Sequence, residues 1–245
     1  MARRWQSDRR HARAWSAYPP EQYRLWQNTA NTRLLGDAIT LTETAWHQPS
    51  LLPGWSRAHV VTHLARDADA YRQLLRNPAL GFDLGSDEER FRALESGADR
   101  NALSLLEDLD NAMGRLADAA ADVTDWNRPV RIFTETYPLS FVSALRLHET
   151  LIHHLDLKVG FNPDAINETA AALLLHLAIH LRRKSATPTI HIQSTSGIDE
   201  TLGRGDPIAT VTGLDARLWA WLSGRLSPTH ISGAAGLELD LLTID

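Results

Sequence analysis

The chain contains no cysteine. No disulfide can form, and any sulfur nucleophile in its chemistry must arrive on a bound molecule. A long apolar run is also missing, so nothing reads as a bilayer span. The opening MARRWQSDRRHARAW is basic but lacks the apolar core of a signal peptide, and the sequence therefore predicts a cytoplasmic protein with no membrane contact. Nor is there an excess of basic charge. With 25 Lys and Arg against 30 Asp and Glu, the formal net charge is −5, which gives no general attraction to nucleic acid. G-x-S-x-G, P-loop, H-E-x-x-H and Rossmann fingerprints are all absent. Small-molecule chemistry is what remains.

The 245 residues suffice for one large or two small domains with ordinary hydrophobic cores. Residues 1–17 hold Arg3, Arg4, Arg9, Arg10 and Arg13 beside Trp5 and Trp15, and read as a flexible N-terminal extension. From Pro20, suited to a first helical turn, a long first helix is expected to about Trp46, with Leu25, Leu34, Leu35, Ile39 and Leu41 at mixed helical spacings. Ser56 is a good N-cap for a second helix, SRAHVVTHLARDADAYRQLLR, stopped by Asn77-Pro78. Residues 86–123 have a helical rhythm with an interruption expected near Gly97, so they form a third helix or a broken pair. A connection with a β-prone RIFTETY leads to a fourth helix, PLSFVSALRLHETLIHHLDLKVG, ending at Gly160. Four such helices suggest a bundle over residues 18–162.

After Asn162-Pro163 the pattern changes. A helix (NETAAALLLHLAIHLRRK), strands at TPTIHIQ and IATVTG, a helix (LDARLWAWLSGR) and a last strand (LELDLLTI) predict a small α+β domain over residues 163–245. The fold class is thus α+β, a four-helix bundle followed by a small mixed domain.

On a 100° wheel the second helix places Val60, Leu64, Tyr71, Leu74 and Leu75 on one face, with His63 and Asp67 inside it and His59 at its edge. On the fourth helix the face is Phe141, Val142, Leu145, Ile152 and Leu155. Glu149 lies well inside that face, His153 one step to the side, and Asp156 with them; His148 and His154 are neighbours, His154 falling on the far, solvated side. A carboxylate on a core-facing stripe is costly unless it is paired or bound to a cation. Glu149 and His153, spaced i, i+4, leave one helix face together. With His63 they make two histidines and a glutamate, a donor set that holds catalytic zinc with one position open. A hydrogen-bonded polar network, His63 to Glu149 and His153 to a carbonyl, satisfies the same spacing. Asp67 and Asp156 are candidates to orient the histidines from behind. Arg225, in WLSGR after a helix, could clamp a carboxylate or simply be a helix-end arginine on the surface.

The segments SLLPGWSRAHVVTHLARDADA, RLHETLIHHLDL and RLWAWLSGR together resemble the mycothiol-dependent maleylpyruvate isomerase family, whose N-terminal part is a DinB-like four-helix bundle. The resemblance implies a divalent metal, usually zinc, on the positions that fall here on His63, Glu149 and His153, and a substrate-facing arginine that falls on Arg225. It also implies mycothiol as the thiol, which suits a chain without cysteine. A dication favours the thiolate. The thiolate either adds to the cis double bond of a maleylpyruvate-like acid, which rotates before the thiol leaves, or attacks an electrophilic carbon and stays attached. Two other functions fit the same residues: a non-catalytic module for a small ligand, and a hydrolase using metal-bound water with Asp67 or Asp156 as base.

Overall fold

The computed structural model describes residues 14–82, 86–132, 134–183 and 188–242, the side chain of Asp87 excepted. The chain divides into two compact units, one of Ser16–Phe161 and one of Asn162–Asp245 together with the start of the chain up to Trp15. The five arginines of the expected flexible extension lie outside the described residues. Trp15 itself is buried, its ring edge-on to His180 with centroids 5.8 Å apart.

In the first unit α1 (Pro20–Ala38) opens with a proline in its first turn and buries Tyr23, Trp26, Ala30, Leu34 and Ala38, one residue per turn. The helix is shorter than expected. Thr40 Oγ1 donates to the carbonyl of Asp37 at 2.7 Å, satisfying a C-terminal orphan, and a separate turn, α2 (Glu43–Trp46), follows. Leu25 and Ile39, expected on the apolar stripe, are exposed, because aromatic and small residues fill that face instead. The segments α3 (Arg57–Arg76), α4 (Asp87–Ala98) and α5 (Ala102–Ala121) come next. The expected third helix is thus a broken pair, parted at residues 99–101, where Asn101 accepts from Ser104 N and starts α5. A two-stranded antiparallel hairpin, β1 (Pro129–Ile132) and β2 (Glu135–Pro138), leads into α6 (Ser140–Asp156).

Helix α1 lies against α6 and α5, and α3 against α5 and α6. The four long helices therefore close into a ring, with α4 on the outer side of α3. Arg57 ties the ends together: its Nε donates to Leu157 O at 2.6 Å and its Nη1 to Ala45 O at 3.1 Å.

In the second unit Asn167 caps α7 (Glu168–Arg182), which packs on α8 (Asp215–Leu222). Strands β3 (Ile190–Ser194), β4 (Asp199–Leu202) and β5 (Ala209–Gly213) form a sheet in the order β4-β3-β5, antiparallel on one side and parallel on the other. Strand β4 was not expected from DETL, whose acids suit strands poorly. The strand expected at LELDLLTI does not form over its described residues. There the backbone is taken up elsewhere: Arg182 Nη2 donates to Asp240 O, and Leu242 N to Ser223 O at 3.1 Å.

Candidate metal centre

Helix α3 begins with a reciprocal cap. Ser56 Oγ accepts from His59 N at 3.4 Å, and His59 Nδ1 accepts from Ser56 N at 3.2 Å. His59 is thereby engaged at the helix start, its Nε2 turned to Glu95 Oε1 at 3.3 Å. One turn further on, His63 stands on the face toward α6, with the Trp55 ring beside it at 5.5 Å. From α6 come Glu149 and His153, both buried and one turn apart.

The three meet at one carboxylate oxygen. Glu149 Oε2 lies 3.4 Å from His63 Nε2 and 3.2 Å from His153 Nε2, and the imidazole centroids are 4.6 Å apart. One donor atom from each residue fits within a 4.8 Å cluster. A tetrahedral ion with bonds of about 2.0–2.1 Å spaces its donors roughly 3.3–3.4 Å apart, which the two Glu149–histidine separations match.

His153 is held from behind. Its Nδ1 lies 2.8 Å from Asp156 Oδ2, a carboxylate with no exposure to solvent. A neutral ring with its proton on Nδ1 for Asp156 presents the Nε2 lone pair to the cluster. Without a cation the ring must be doubly protonated to bond both acids. Burial opposes that charge, but the bonds to Asp156 and Glu149 prevail and push the imidazole up to about 9. Burial likewise acts to raise Glu149, and its two histidine partners hold it well below the usual carboxylate range. The cluster thus demands positive charge, from a proton or a metal.

Beyond it lies a residue that spacing could have flagged. Arg146, one turn before Glu149 on the same face of α6, is buried and donates to Asp67 Oδ2 at 2.7 Å and to Leu64 O at 3.2 Å. Burial, then the charge of Glu149, pushes Asp67 up to about 6 despite this arginine. Asp67 therefore hydrogen-bonds Arg146, and His63 acts on it through charge alone. The guanidinium and a dication together would balance the buried carboxylates of Asp67, Glu149 and Asp156.

His148 is buried but is not among the clustered donors. The solvated position expected for His154 is overturned. That ring is fully buried, stacks on Phe161 at 4.2 Å, and lies 3.0 Å from Asp37 Oδ2; long-range neighbours invisible to a wheel enclose it. Arg225 belongs to the other unit, where its Nη1 donates to the carbonyls of Ser223 at 2.7 Å and Leu242 at 2.9 Å.

Two histidines and a glutamate gathered between two helices of a closed bundle define a class of helical-bundle proteins with a clustered donor set that could hold a cation. Residues 27–158 match the family model of the mycothiol maleylpyruvate isomerase N-terminal domain, and the chain belongs to that family. The fold resembles two solved structures, the mycothiol-dependent maleylpyruvate isomerase and a histidine-to-alanine mutant of it. The TM-score is 0.81 for each, with 20% and 19% identity respectively, covering 94% of this chain and 98% of each of theirs. At that identity the likeness shows the α+β fold. No curated protein matches. No helix among the described residues is long and apolar enough to cross a membrane.

Proposed function

We propose that this chain is a metal-dependent enzyme that uses the thiol of mycothiol on a small electrophile, by cis–trans isomerisation of a maleylpyruvate-like acid or by S-transfer. The observation that carries the reading is the single oxygen of Glu149 set within 3.4 Å of two histidine nitrogens from two helices. Family membership adds mycothiol as the thiol.

On this reading His63, Glu149 and His153 hold a divalent cation, zinc by donor set, with a fourth position open. When bound, the cation supplies the charge that stabilises a thiolate, the nucleophile of either reaction. Asp156 keeps the His153 proton on Nδ1 and aims Nε2 at the site. The Trp55 ring lies beside His63. Arg225 is the proposed clamp for a substrate carboxylate. Since the chain has no thiol of its own, turnover should depend wholly on added thiol.

The test is elemental mass spectrometry of wild type and His153→Ala, followed by assay of maleylpyruvate with and without mycothiol. The expected result is near-stoichiometric zinc, lost in the variant, and thiol-dependent turnover. Metal in neither protein would overturn the catalytic reading, and turnover without thiol would replace it with metal-assisted hydrolysis.

A further inference from the structure

Among the described residues the Arg146–Asp67 pair is the one buried charge pair beside the cluster that the proposed chemistry does not use. Both residues are buried, Nε and Nη2 of Arg146 have no hydrogen-bond partner among the described residues, and only Nη1 is engaged. A buried ion pair so incompletely satisfied contributes little to stability over well-packed apolar residues of similar size, so the fold gives it no evident reason to exist.

Its placement supplies one. Arg146 sits three residues before Glu149 on α6, and its two bonds land on Leu64 and Asp67, one and four residues after His63 on α3. The pair and the His63–Glu149 contact are therefore neighbouring rungs between the same two helices. The three candidate ligands differ in what holds them. His153 has Asp156 behind it, and Glu149 faces both histidines. His63 hydrogen-bonds only Glu149 among the described residues, Asp67 acting on it through charge, and its side chain is 33% exposed. Among the described residues no carboxylate hydrogen-bonds its ring from behind as Asp156 does for His153, so its position falls to the backbone of α3.

We propose that Arg146 is a positioning residue for the metal site, clasping α3 to α6 so that His63 is set at ligating distance from Glu149. The inference rests on the metal reading above. Its electrostatic part acts in the same direction: the guanidinium offsets the charge of Asp67, which would otherwise repel Glu149 within the same buried cluster.

The test is Co2+ titration and Zn2+ competition on the full chain, for wild type, Arg146→Met and the double variant Arg146→Met, Asp67→Leu. The single variant strands a buried carboxylate and can fail to fold, so the double variant carries the test. It is expected to keep the wild-type unfolding midpoint in metal-free buffer while Zn2+ affinity falls about 10- to 100-fold, as for other residues that orient ligands. The visible absorption of bound Co2+ should change with it. Wild-type Zn2+ affinity with an unchanged Co2+ spectrum in the double variant would overturn the proposal. So would a loss of affinity matched by loss of the metal-free midpoint, which marks a structural role. A wild type that binds neither ion would overturn the metal reading itself, and is told apart because binding then fails already in the wild type.

Discussion

Gly97 is a sharp point at which to perturb the bundle beside the site. It lies in the last turn of α4, where α4 meets α3, and a Cβ added there would stand 2.3 Å from Thr62 Cγ2, 3.2 Å from its Oγ1 and 3.3 Å from its Cβ. Carbon atoms in contact normally sit about 3.5–4.0 Å apart, so the overlap exceeds an ångström. Thr62 cannot easily yield: it is buried on α3, and β-branching restricts its rotamer in a helix. Gly97→Ala should therefore cost the upper part of the roughly 1–3 kcal/mol typical of overpacking. A helix-propensity gain of about 1 kcal/mol opposes it, for a net loss of about 2 kcal/mol. Urea unfolding followed by tryptophan fluorescence measures this as a lowered midpoint at constant slope. Thr62→Ala should rescue it, since it removes Cγ2 together with a hydroxyl that has no hydrogen-bond partner among the described residues. If Gly97→Ala matched or exceeded wild-type stability, the close approach of α3 and α4 would be wrong.

Two further predictions concern single groups. Asp156→Asn keeps the shape behind His153 but removes the charge that fixes its proton, and Zn2+ affinity should drop about 10- to 100-fold in competition with a chromophoric chelator; an unchanged constant would dismiss the orienting role. Burial, chiefly, holds the Tyr23 and Tyr71 hydroxyls above the ordinary 10.0. The folded chain then keeps protons that the unfolded chain loses, so stability is complete below pH about 10 and declines above it. Near-ultraviolet absorbance on alkaline titration should show these two of the four tyrosines ionising only with unfolding, and early ionisation of all four would refute it.

The candidate site was legible because α3 and α6 are amphipathic: buried Val60, Leu64 and Tyr71 mark one face, Phe141, Val142 and Leu145 the other, and His63 and Glu149 interrupt those faces with polar atoms. Arg146 interrupts the same face of α6 one turn earlier and was equally readable from spacing. What escaped the sequence was long-range. His154 reads as solvated until Asp37 and Phe161 are brought to it, and the end of α1 depends on a threonine hydroxyl closing on the helix it follows. The alternation in LELDLLTI is a true strand signal. It loses because Arg182, buried on α7, captures the carbonyl of Asp240 that a ladder would need.

Glu149 and His153 are four residues apart, whereas His63 and Glu149 are separated by 86. Two of the three donors are therefore together as soon as α6 forms, and the third joins only once α3 has docked against it. On the proposed metal reading, an ion would grip the native chain with three donors and a partly assembled one with two. Such an ion slows unfolding while scarcely hastening refolding, so it would act on the lifetime of the folded protein more than on the speed of its making.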